Sequence, residues 1–376
     1  MTSTASSGSV LPVVVAIDYG TYGSGFAWAI VNEQNADPAR RQISLFTQWP
    51  SQAVAYPKAM SCLLVNRQGR PVAWGHEAYR LWRGRKADPD IEGFKLVRGY
   101  KMSLNPERKP PTTRGLVAID DREKRADKLI ACYLREIYAI AVREIGKCGY
   151  SAADIRWCIT VPAMWDDYEK QVMRRAAEAA GIPGDRLSLT YEPEAAAYYA
   201  RVAGVRFAGR TDNDDVPPAL DLPGCRFIVA DCGGGTVDLT AFRTDDDGGF
   251  SEISRSEGAA AGSYYLNEAF RRDIVIPRLG GKSEYSRLCK ECPQEIEDLI
   301  DTWERMKVDI PAEPIRPMLI PLSHALFSQL CRRSRNSRCP RSRNSAGGGS
   351  WLMFYPMASF GGVFGAFLVT GRLLGR

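Results

Sequence analysis

Two aspartates, Asp18 and Asp231, each stand two residues before a glycine at the end of an apolar run. The first lies in "VVVAIDYGTYGSGFAWAI", residues 13–30, and the second in "FIVADCGGGTVDLTAF", residues 227–242. A glycine at a strand end offers nothing to pack and loses the most backbone freedom on folding, so Gly233, Gly234 and Gly235 in a row require a reason. Close approach of a phosphate to the main chain supplies one, because successive N–H groups at a turn form an anion-binding concavity. Two carboxylates beside such a phosphate suit a hydrated Mg²⁺, which takes oxygen ligands and keeps several waters. A plain structural turn would account for one such stretch alone. Superposed, however, Asp18 falls on Asp231 and Gly20 on Gly233, which points to a duplicated unit with one phosphate-binding hairpin per half.

The elements around these residues alternate between strand and helix. Short β-like runs, "ISLFTQW" and "MSCLLVN", follow the first hairpin, and "WGHEAYRLWRG" reads as a helix before "GFKLVRGY". Residues 121–147 form a long amphipathic helix by their apolar spacing. "IRWCITVP" is a buried strand stopped by Pro162, and the helix after it opens on Asp166 and Glu169 as a capping box and stops at Gly181. "RLSLTYEPEAAAYYARVAG" reads as strand then helix, 205–224 as a polar loop, and two helices follow the second hairpin at about 263–279 and 293–309. The fold class is therefore α/β.

Composition narrows the function. The 376 residues are 45% hydrophobic and 25% charged, as in an ordinary water-soluble protein. The net charge is +6, but residues 331–376 hold eight arginines and no Lys, Asp or Glu, so residues 1–330 carry −2. That body has no nucleic-acid footprint. Ten scattered cysteines fit a reducing compartment, and the isolated pair Cys289 and Cys292 lacks the second pair of ligands a zinc site needs. Cys232, between Asp231 and the glycines, reads as a small apolar filler. "MTSTASSGSV" has neither the basic region nor the apolar core of a signal peptide, so the expected location is cytoplasmic.

Four ordered segments resemble the nucleotide-binding domain of the heat-shock 70-kDa chaperone family (the DnaK type) within the actin-like ATPase superfamily. They are "AIDYGTYGSGFA", "ITVPAMWDDYEKQVMRRAAEAAGI", "LTYEPEAAAYYA" and "VADCGGGTVDLTAF", with "WERMKVDI" a weaker fifth. The resemblance is to the divergent branch of fungal and animal twelve-A type and spans residues 13 to about 310. It implies a two-lobed fold of duplicated ribonuclease-H-like halves, and ATP or ADP with Mg²⁺ as ligands.

Residue by residue, the resemblance implies that Asp18 and Asp231 orient Mg²⁺ through its waters. Gly20, Thr21, Tyr22 and Gly23 would hold the outer phosphates from one lobe, and Gly233, Gly234, Gly235 and Thr236 from the other. Lys95 would neutralise the γ-phosphate, Glu192 and Asp238 would order the attacking water, and Glu304 and Lys307 would reach ribose and adenine. Pro162 matches the residue that relays nucleotide state between lobes. Each has a plainer rival. Glu192 could simply open a helix, Lys95 could be a solvated lysine, and Glu304 with Lys307 a surface ion pair. Asp238 in a core strand needs a reason for its buried charge. The family's second hydroxyl after Thr21 is here Tyr22, and the arginine of the adenosine helix is Val308.

The expected organisation is a disordered stretch at 1–12, a first lobe at 13–220 and a partial second lobe at 221–320. An Arg/Ser/Gly-rich low-complexity segment follows at 321–350, then an apolar tail at 351–376. The resemblance implies C-terminal truncation, with no client-binding domain. Gly361 and Gly362 could imitate the family's adenosine turn. Three readings of the tail stay open: translation out of frame, a membrane anchor over the uncharged residues 346–371, or a disordered arm for a partner. The leading function is ATP binding, with hydrolysis if the domain is competent. The alternatives are a non-enzymatic regulatory module of the same fold and a small-molecule kinase of the superfamily. Co-chaperones or other proteins are the implied partners, and membrane contact only through 346–371.

Overall fold

In the computed structural model the described residues are 11–32, 35, 37, 41–85, 88–104, 122–205, 220–259, 261–310, 318–333 and 350–354. The expectations for residues 1–10, for the arginine-rich run at 334–349 and for the tail beyond 354, Gly361 and Gly362 included, fall outside them. The chain divides into two compact units, Met1–Ala260 and Ala261–Arg376.

The first unit opens with the antiparallel hairpin β1 (Val13–Tyr19) and β2 (Gly23–Ile30). Two short strands, β3 (Ser44–Leu45) and β4 (Ala59–Met60), both pair with β2. A separate three-stranded sheet holds β5 (Cys62–Val65), β6 (Pro71–Trp74) and β7 (Lys95–Arg98), with helix α1 (Gly75–Gly84) packed on it. A 3₁₀ turn, Tyr100–Leu104, and the long helix α2 (Arg122–Lys147) come next. Strand β8 (Ile155–Val161) runs parallel to β1, and after helix α3 (Asp167–Ala180) strand β9 (Leu187–Tyr191) runs parallel to β8. The main sheet order is thus β3-β2-β1-β8-β9.

Period-2 alternation explains what each face of this sheet does. Val13, Val15, Ile17 and Tyr19 of β1, with Ile155, Trp157, Ile159 and Val161 of β8, are buried against α2 and α3. Asp18 therefore points to the other face, beside its register partner Thr160. The Asp166–Glu169 capping box forms at the start of α3, and Gly181 ends the helix at φ 109, in the left-handed region that glycine tolerates.

Helix α4 (Glu192–Val202) leads to the second hairpin, β10 (Arg226–Cys232) and β11 (Val237–Thr244), extended by β12 (Phe250–Glu252) and β13 (Glu257–Ala259). A small core of Phe227, Phe242, Leu220 and Ala197 lies beneath it.

The second unit is mainly helical: α5 (Ser263–Ala269), a π-helical turn (Phe270–Val275), α6 (Ile276–Arg278), α7 (Lys282–Glu291) and α8 (Pro293–Met306). Strand β14 (Met318–Leu322), helix α9 (His324–Arg333) and strand β15 (Ser350–Phe354), antiparallel to β14, complete it. Trp303, stacked on Phe270, centres its core. Helix α7 was not anticipated, and Cys289 and Cys292 at its end pack into that core. Among the described residues no helix is long and apolar enough to cross a membrane.

Candidate functional site

The two hairpins of the first unit are built alike. Four residues separate the last paired positions of each, Tyr19 with Ser24 and Cys232 with Val237. Both loops face one cavity of about 930 Å³, within the range of small-ligand pockets. Asp18, Gly20, Thr21, Tyr22 and Gly23 line it from the first hairpin. Asp231, Gly233, Gly234, Gly235 and Thr236 line it from the second, and Pro162 and Glu192 from the ends of β8 and β9.

The second loop is closed by the Gly233 amide donating to the Thr236 carbonyl at 2.9 Å. None of the described residues accepts a hydrogen bond from the amides of Gly234, Gly235 or Thr236, which leaves three donors in a row at the cavity wall. The glycines are also required by side chains of the protein itself. A Cβ on Gly234 would stand 2.6 Å from the Tyr22 ring, and one on Gly235 would run into the sulfur of Met102 and stand 2.9 Å from the Thr21 hydroxyl.

Charge in the cavity is concentrated at the strand ends. Asp231 and Asp238 are directly opposed in the β10–β11 ladder, so their side chains share a face. Asp238 is 1% exposed and accepts from the Thr236 hydroxyl at 2.7 Å. Burial pushes the Asp231 carboxyl up to about 6, and the carboxylates of Glu192, Asp238 and Asp18 push the same way against the opposing effect of Lys101. Such a concentration of negative charge calls for a cation.

Two lysines answer part of that demand. Lys101, on the 3₁₀ turn, is buried and donates to the Tyr19 carbonyl at 2.6 Å and to Glu192 Oε1 at 2.8 Å. Its ammonium lies over the Trp165 ring at 5.3 Å. Lys58, just before β4, reaches Asp18 Oδ2 at 2.5 Å. Neither was singled out from the sequence. Lys95, which was, is exposed at the start of β7 in the separate sheet and is not among the residues lining the cavity. Lys101 stands six residues further on, and only its place in an apolar stretch, "YKMSL", distinguishes it from other lysines. Glu192 is the first residue of α4, the plainer of the two readings weighed for it, and it also pairs with Lys101, which neither reading foresaw.

Glu304 and Lys307 belong to the second unit and form an ion pair at 2.5 Å. Lys307 also donates to Ser263 Oγ at 2.5 Å and to Asn267 Oδ1 at 3.0 Å.

No known family profile matches the chain. Among curated proteins it is 26% identical to human heat shock 70 kDa protein 12B over 345 residues, which is 78% of this chain and 49% of that one. It is 24% identical to human heat shock 70 kDa protein 12A over 359 residues, 82% of this chain and 52% of that one. It is 24% identical to chaperone protein DnaK of Thermoplasma acidophilum over 306 residues, 79% of this chain and 42% of that one. The chain is thus similar to heat-shock 70-kDa proteins over most of its length. Its mixed α/β architecture is that of the actin-like ATPase nucleotide-binding fold. This heat-shock 70-kDa-like chain spans about half the length of the first two of these relatives.

Proposed function

We propose that the cavity binds ATP with Mg²⁺ across the two glycine-bearing loops and hydrolyses it to ADP and phosphate, as the nucleotide-binding part of a chaperone. The observation that carries this reading is the pairing of two equivalent four-residue loops, each preceded by an aspartate, on one cavity with unengaged amides on its wall. In this reading Gly20 to Gly23 and Gly233 to Thr236 hold the phosphates. Glu192 and Asp238 order the attacking water, and Lys101, in place of Lys95, neutralises the charge that develops on the outer phosphate. Phosphoryl transfer needs positioning and charge neutralisation more than covalent chemistry, so carboxylates, amides and one buried ammonium are enough.

The donor set fits Mg²⁺. Among the described residues no three His, Cys, Asp or Glu side chains converge as direct ligands. Two carboxylates on one cavity, one of them raised by burial and then by its acidic neighbours, suit an ion that keeps its water and takes phosphate oxygens. Asp18 and Asp231 would hold it, and it would neutralise phosphate charge. A second reading, a binding module without turnover, is favoured by the Tyr22 ring, which already packs against Gly234.

Calorimetry of ATP with Mg²⁺ on the full chain tests the reading, with turnover measured alongside. Binding is expected in the parent. Lys101→Met should lose about ten-fold or more in affinity or turnover, the worth of a charged hydrogen bond, while Lys95→Met stays within about two-fold. A parent chain that binds no nucleotide would refute the proposal. Binding without turnover would select the second reading.

A further inference from the structure

Lys58 is placed by a local construction that the nucleotide-binding reading does not use. Strand β4 lies antiparallel on the start of β2, with Gly23 opposite Met60 and Ser24 opposite Ala59. A Cβ on Gly23 would stand 3.3 Å from Lys58 Cβ and 3.6 Å from its Cδ. A Cβ on Gly25 would meet the Pro57 carbonyl and stand 3.5 Å from Lys58 Cγ. The alternate glycines of "GSG" thus open a channel on one face of β2, and the aliphatic stem of Lys58 lies along it. At the end of that stem the ammonium reaches Asp18 Oδ2 at 2.5 Å.

The charged groups facing this ammonium are Asp18 and, further off, Glu192, with Tyr56 beside them. Burial works against its charge, yet the pairing with Asp18 and the field of Glu192 hold Lys58 above the ordinary lysine range. The cavity therefore carries a cation on the very carboxylate that a divalent metal would use. The pair is 42% and 44% exposed on its two sides, so it is weak and can exchange. The other lysine, Lys101, is 6% exposed and locked between Tyr19 and Glu192. Of the two, Lys58 is the one able to move.

We propose that Lys58 is an exchangeable resident cation: it pairs with Asp18 until nucleotide arrives and then passes to a phosphate oxygen, so that divalent metal enters together with a polyphosphate and not before it. Both halves of this inference rest on the nucleotide-binding reading above, and the metal half rests also on the Asp18 pair. Its consequence is coupling. A free divalent ion must compete with a tethered ammonium for Asp18, whereas a polyphosphate offers that ammonium a new anion and frees the carboxylate.

The test uses the full chain and Lys58→Met, which keeps a stem over the glycines and removes the charge. Mn²⁺ alone is titrated by electron paramagnetic resonance of the free ion, and ATP is titrated in EDTA. Mn²⁺ alone should bind Lys58→Met about five-fold more tightly than the parent, and the gain should vanish in Lys58→Met with Asp18→Asn. ATP in EDTA should bind Lys58→Met about five-fold more weakly. Equal or weaker Mn²⁺ binding by Lys58→Met, or an unchanged ATP affinity in EDTA, overturns the exchange. Lys58→Gln, checked by circular dichroism, replaces the variant if Lys58→Met does not fold. If the parent binds ATP but the Mn²⁺ affinities are equal, Lys58 loses its role and the nucleotide reading stands. If the parent binds no ATP at all, that reading falls together with the exchange, and the Mn²⁺ comparison then reports only on the Asp18 pair.

Discussion

At the scale of single residues, Asp231 offers a test that needs no nucleotide. Its carboxyl is raised from 3.8 to about 6, first by burial and then by Glu192, Asp238 and Asp18. The folded protein therefore binds this proton more tightly than the unfolded chain does, and the ionised form costs stability. The cost is absent below about pH 4, grows as pH rises through 6 and is complete above it. Asp231→Asn removes that cost. In metal-free buffer the variant should melt about 2–4 °C above the parent at pH 7.5, with the gain shrinking to nothing near pH 4. Equal melting temperatures at pH 7.5 would mean that burial and the acidic neighbours do not penalise the ionised Asp231. With Mg²⁺ and ATP present the order should reverse, because the charge that costs stability without a ligand is the one proposed to hold the metal. The places of Asp18, Asp231 and Thr236 at the cavity were legible because each follows from a chain-local pattern of strand, acid and glycine. Lys58 and Lys101 were not, since a lysine's side chain spans several ångströms and its target is set by strands distant in sequence.

At the scale of elements, the hairpins were legible from turn chemistry and their pairings follow it residue by residue. Helix α3 was legible down to its caps, because capping residues act within one turn. The parallel partnership of β1 with β8 across more than a hundred residues was not, nor was the pairing of β4 with Gly23 and Ser24, since both depend on tertiary pairing. The reason for the glycines also had to be seen. From sequence they implied only a phosphate, whereas the structure adds Tyr22 and Met102 pressed against them. The two causes separate experimentally. Gly234→Ala forces a methyl against the Tyr22 ring and should cost about 1–3 kcal/mol, the usual range for overpacking. In a Tyr22→Ala background the same change should cost almost nothing, because the ring is gone. If the loop also cradles phosphate, Gly234→Ala should still reduce the ATP-induced rise in melting temperature in that background. A full ATP-induced rise in the double variant would assign Gly234 to packing alone.

At the scale of the whole molecule, the two hairpins differ in what flanks them. Strand β1 is covered on both edges, by β2 and β8, whereas β10 pairs only with β11 among the described residues. Its outward residues Arg226, Ile228, Ala230 and Cys232 are exposed, Ile228 at 44%. A strand with a bare edge and an apolar residue in its middle is a template for pairing with another chain. The described protein carries such an edge beside its most chemically committed loop, so solubility and site integrity are linked through one strand. The full chain is therefore expected to self-associate at concentrations of roughly tens of micromolar, read by light scattering behind size exclusion. Ile228→Lys puts a charge on the exposed face without touching Asp231, whose side chain points the other way by strand alternation. The variant should shift toward monomer while keeping the parent's ATP-induced thermal stabilisation. A parent that stays monomeric at these concentrations would show that this edge is protected, and a variant that associates as strongly as the parent would place the contact elsewhere.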